Sequence, residues 1–118
     1  MKIRTLGKAG FTLVEIMIVV AIIGLLAAIA IPNFVRARTT SQQNACINNL
    51  RQIDGAVQTW ALENRKGPTD TYILDTIKPY LRLDSTGNIP ACPASGSYSP
   101  GATVSNAPTC NITGHNMQ

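Results

Sequence analysis

Residues 11–31, FTLVEIMIVVAIIGLLAAIAI, form an apolar run that carries one ionisable side chain, Glu15. At a helical rise of ~1.5 Å per residue the run spans roughly 30 Å, the thickness of a bilayer's hydrocarbon core. It therefore reads as a membrane-crossing helix, and a chain of 118 residues has room beside it for only a small further domain. Gly24 is the soft point of the run and Pro32 follows it. A proline inside a helix removes one backbone hydrogen bond and crowds the preceding turn, so a kink or local loosening is expected between these two residues.

The formal charge of +4 is misleading, because three of the ten basic residues, Lys2, Arg4 and Lys8, precede Phe11. Without residues 1–10, seven basic residues face six acidic ones, a balance of +1. No basic patch then supports direct binding of nucleic acid. The leading charges set orientation instead, since Lys and Arg flanking a first apolar helix stay in the cytoplasm. The C-terminal part is expected to be exported, although Arg36 and Arg38 reduce the asymmetry.

Three readings of the N-terminal segment compete. A secretory signal peptide has the basic start but a shorter apolar core, cut after a small-residue site such as Ala28 and Ala30 would mimic. A plain anchor explains the length and leaves Glu15 as a defect, costing ~2.5 to 3.5 kcal/mol at the centre of a membrane helix and less near its interface. The third reading has the chain cut after Gly10, so that Phe11 becomes a positively charged terminus. Glu15, one turn into the helix and near the positive end of its dipole, then has a cation to meet. That cation could be its own chain's amine or that of a staggered neighbour, where the pair would lock register.

Beyond Pro32 the pattern becomes one-sided. Cys46, Leu50, Ile53, Val57 and Trp60 recur at steps of 4, 3, 4 and 3, lining one helical face. Arg65 and Lys66 suit a helix C-terminus, and Gly67 with Pro68 ends it. A helix over 11–66 would be roughly 80 Å long, too long for a globule of this size, so half of it must project. The rest carries a short amphipathic turn over 71–77 and a Gly-, Pro- and Ser-rich tail. Its plausible strands, 97–99 and 109–112, flank the turn-forming PGATVSNAP. The expected fold class is α+β: a long N-terminal helix with membrane and amphipathic halves, and a small turn-rich C-terminal region with a short antiparallel hairpin laid on the amphipathic half. The expected divisions are a leader (1–10), an apolar helix (11–31), its amphipathic continuation (32–66) and an exported region (67–118).

Three cysteines in an exported chain permit one disulfide. Cys92 and Cys110, both in the tail, are the preferred pair, worth roughly 3 kcal/mol on the chain-entropy model; Cys46 could instead take either partner. With the lone histidine, His115, the three cysteines could make a zinc set, but no paired spacing supports it and export favours oxidation, so His115 reads as a solvated tail residue and no metal or cofactor is expected. Glu63 and Asp54 make a poor acid–base pair and read as solvated charges. Asn111, Ile112 and Thr113 form a short glycosylation sequon of a kind common by chance. Trp60 reads as core, and no nucleophile has a base beside it, so no catalytic residue is assigned.

The segment KAGFTLVEIMIVVAIIGLLAAIAIPNF resembles the leader, cleavage site and helix of type IV pilins and type II secretion pseudopilins. The likeness covers about the first forty residues, with basic leader, Gly, Phe, Thr-Leu-Val-Glu and the later Pro in order. It implies cleavage between Gly10 and Phe11 by a membrane aspartyl prepilin peptidase, methylation of the Phe11 amine, and neutralisation of a neighbour's amine by Glu15 during assembly. The implied partners are copies of the chain and related pilins, the peptidase, an inner-membrane assembly machinery and, before assembly, the lipid bilayer. The implied location is the bacterial inner membrane, single-pass with a cytoplasmic N-terminus, then a periplasmic pseudopilus or a surface filament. Asp70, Asp75 and Asp84 are scattered and form no acidic cluster of the kind that binds calcium in major secretion pseudopilins. Between the two kinds of filament the secretion pseudopilin is slightly favoured; the competing function class is a solitary membrane-anchored exported binding module.

Overall fold

The computed structural model describes residues 10–117; the leader read from the sequence falls almost wholly on residues 1–9, outside the described residues. The elements, in order, are helix α1 (Leu13–Glu63), helix α2 (Leu74–Ile77), a 3-10 turn (Lys78–Tyr80) and strands β1 (Tyr98–Ser99) and β2 (Thr109–Cys110). The described architecture is α+β, a long N-terminal helix followed by a small region with a two-stranded antiparallel sheet.

The chain divides into two compact units, one up to Arg36 and one from Ala37. In the first, α1 is apolar on every side and its large side chains from Leu13 to Val35 are all exposed. It is the one described helix long and apolar enough to cross a membrane. α1 continues through both Gly24 and Pro32. Pro32 has no N–H, so the Ala28 carbonyl receives no i+4 hydrogen bond there.

The second unit is built on the amphipathic part of α1. Ile53, Ala56, Val57, Trp60 and Ala61 pack with Tyr72 from the loop before α2, Ile77 from α2 and Val104 from the loop that joins the two strands. A second cluster joins Cys46 and Leu50 to Cys92 and Cys110. The face at steps of 4 and 3 is the buried face, as its periodicity requires. The hairpin stands where the turn residues put it, with Tyr98 opposite Cys110 and Ser99 opposite Thr109, but each strand is only two residues long.

The end of α1 differs from its expected form. Arg65, not Gly67, takes the left-handed conformation, at φ 53°. Lys66 N–H reaches back to the Ala61 carbonyl at 2.8 Å, the six-to-one bond of a Schellman cap. Gly67 instead donates its N–H to Asp70 Oδ2 at 2.7 Å, which starts the turn into the tail.

Candidate functional site

Two groupings of residues carry chemistry. The first is the start of α1. Gly10 and Phe11 precede the helix and are exposed, Phe11 at 84%. Thr12 N–H donates to Glu15 Oε2 at 3.1 Å, and Glu15 N–H donates to Thr12 Oγ1 at 3.2 Å. These reciprocal bonds are a capping box, satisfying two amides that a helix start leaves without partners. Glu15 thus has work within its own chain, which the ion-pair reading overlooked; the signal, Thr-x-x-Glu ahead of an apolar run, stands in the sequence. A Cβ built on Gly10 meets nothing within 4 Å, so the fold itself sets no demand for glycine at that position.

The second grouping lies in the second unit, where Cys46, Cys92, Cys110 and His115 bring one donor atom each to within 4.8 Å of one another. Cys46 comes from the buried face of α1, Cys92 from the loop before β1, Cys110 from β2 and His115 from the turn after it. All four are buried, between 0% and 5% exposed. The expected Cys92–Cys110 disulfide is not shown: the three cysteines are free, and their sulfurs share one site with an imidazole. One sequence expectation is corrected here. His115 is not solvated: it is the one buried residue among the described charged or polar ones, and its Nδ1 lies 3.4 Å from Cys92 Sγ.

Local geometry shapes this site. Ser95, at φ 64°, closes the Cys92-Pro-Ala-Ser-Gly turn, with Ser95 N–H on the Cys92 carbonyl at 3.0 Å. Gly114, at φ 82°, turns the chain so that His115 N–H meets the Ile112 carbonyl at 3.2 Å. Gly96 leaves room for Cys110: a Cβ there would lie 2.8 Å from its Sγ. Burial pushes the Cys92 thiol up, but hydrogen bonds from Cys46, from the backbone N–H groups of Ala94 and Gly96 and from His115 outweigh it and hold it at about 7. Burial, aided by the neighbouring Cys92 and Cys110 thiols, pushes Cys46 up to about 12. Of the two, Cys92 gives up its proton the more readily.

The remaining candidates have local roles. Glu63 accepts the Tyr80 hydroxyl at 2.6 Å, Asp75 pairs with Lys78 at 2.7 Å, and Asp84 Oδ1 accepts the Thr86 and Asn88 N–H groups of one turn, at 2.9 Å each. Asn111 Oδ1 accepts Ser97 N–H at 2.9 Å, bracing the approach to the hairpin. Trp60 is core.

The match to a family model, the prokaryotic N-terminal methylation motif, covers residues 6–31. The type IV major pilin protein PilA of Myxococcus xanthus is 52% identical over 54 residues, which cover 46% of this chain and 24% of that protein. The type II secretion system core protein G of Aeromonas hydrophila is 30% identical over 70 residues, covering 59% of this chain and 49% of that protein. The chain thus spans about a quarter and about a half of these two relatives. The type IV major fimbrial protein FimA of Dichelobacter nodosus is 46% identical over 109 residues, covering 71% of this chain and 70% of that protein. No solved structure matches the chain significantly. With its methylation motif laid over the start of an apolar α1 and its likeness to FimA reaching well into the second unit, the chain belongs to the family of type IV pilins and type II secretion pseudopilins.

Proposed function

We propose that the chain is a structural subunit of a bacterial type IV filament, with no catalytic role of its own. The observation that carries this reading is the lipid-like surface of α1 up to Val35, exposed on all sides and covered as far as residue 31 by the matched methylation motif. Such a surface must be covered, by lipid before assembly and by the same segment of other copies afterwards, so that leaving the bilayer never brings it into water. In this reading the peptidase cuts after Gly10, Phe11 receives the methyl group, and Glu15 meets the Phe11 amine of an adjoining copy. The precursor crosses the inner membrane once with its N-terminus in the cytoplasm, and Gly24 and Pro32 give the helix a place to yield during extraction by the assembly machinery.

Relatives of both kinds match the chain. We favour the secretion pseudopilus, a periplasmic fibre; labelling of intact cells tests the choice, because a surface pilus is accessible to antibody and a pseudopilus is not. The filament reading itself is tested by mass spectrometry of the chain from its native membrane. A product beginning at methylated Phe11 is expected, and Gly10→Val is expected to stop processing while leaving the fold intact. An unprocessed chain, or one cut after Ala30, would instead support the solitary anchored module or the signal peptide.

A further inference from the structure

We propose that Cys46, Cys92, Cys110 and His115 bind one zinc ion in a closed tetrahedral site that fastens the tail to the amphipathic part of α1. Three thiolates and an imidazole are a standard structural zinc donor set. With Zn–S near 2.3 Å and Zn–N near 2.0 Å, an ideal tetrahedron has S···S edges of about 3.8 Å and S···N edges of about 3.5 Å. The four donor atoms lie within 4.8 Å of one another and the Nδ1–Sγ edge is 3.4 Å, a spacing that small shifts close around an ion. Four protein donors, none more than 5% exposed, leave no open coordination position, which is the mark of a structural centre.

The surroundings fit the same role. Cys110 N–H is held by Asn116 Oδ1 at 2.7 Å. Both ligand loops are pinned to α1: Gln42 Nε2 donates to the Pro93 carbonyl at 3.3 Å and Gln43 Nε2 to the Gly114 carbonyl at 2.7 Å. Soft sulfur donors select zinc over magnesium or calcium. On binding, three thiols release three protons to water, and the ion with three thiolates and a neutral imidazole carries a net charge of −1. A single disulfide, by contrast, would leave one thiol and the imidazole buried with nothing to do. The proposal is independent of the filament reading.

The experiment is metal analysis and cobalt substitution of the full chain purified in detergent. One zinc per chain is expected. Replacement by Co²⁺ should give tetrahedral ligand-field bands with thiolate charge transfer, and alkylation should reach the three cysteines only after chelation. Cys46→Ser is expected to weaken Co²⁺ binding more than about 100-fold, beyond the loss typical of outer-shell changes. Because that variant could also unfold, His115→Cys serves as the second: it keeps four ligands, and should retain tetrahedral Co²⁺ with stronger charge transfer. A native chain that is free of metal and two hydrogens lighter, with Cys92 and Cys110 joined, would overturn the proposal, as would three alkylatable thiols that ignore Co²⁺.

Discussion

Glu15 carries two explanations that a single substitution separates. Its carboxylate closes a capping box with Thr12, a task glutamine also performs, whereas neutralising a neighbour's amine needs the charge. Glu15→Gln is therefore expected to keep the helix start and membrane insertion but to lose filaments as completely as Glu15→Ala, by electron microscopy of processed protein. Filaments from Glu15→Gln would make the cap, and not the ion pair, the reason for the residue. At Gly96 the argument is steric. A Cβ would sit 2.7 Å from Ile112 Cγ1 and 2.8 Å from Cys110 Sγ, both in well-packed surroundings, so Gly96→Ala should destabilise the second unit by about 1 to 3 kcal/mol in denaturant titration.

At the level of elements, α1 was legible because its two halves obey simple rules: an all-round apolar run, then a stripe at steps of 4 and 3 whose members, Cys46, Leu50, Ile53, Val57 and Trp60, are all buried. Its ending was less so. Gly67 is the residue that composition favours for a helix stop, yet the Schellman bond from Lys66 to Ala61 places Arg65 in the left-handed position. A side chain with a Cβ is strained there, so Arg65→Gly is expected to raise stability by about 0.5 to 1 kcal/mol, read as a higher midpoint in thermal unfolding. The hairpin's place could be read from its turn residues, but not the convergence of Cys46, Cys92, Cys110 and His115. That cluster depends on which loops fold back onto which turn of α1, a matter of tertiary contact that leaves no local periodicity. Its nearest local trace, a cysteine and a histidine separated by four residues at Cys110 and His115, is brief and lacks a matching pair elsewhere.

For the whole molecule, the two units answer to different solvents. The second has a modest core and four short elements after α1, and domains of such size commonly need a staple beyond hydrophobic burial. Chelation of the full chain in detergent is therefore expected to speed amide hydrogen exchange in β1, β2 and the turn at His115, while residues 13–35 keep their protection. Unchanged exchange in the hairpin after chelation would mean that packing alone holds it. The contact between Cys46 Sγ and the His115 carbonyl joins residues 69 positions apart. At a synthesis rate of about 5 to 20 residues per second, the sticky side of the helix leaves the ribosome several seconds before its cover is made. During that interval it is open to wrong partners, so cells producing the chain quickly should depend on chaperones that shield nascent polypeptides.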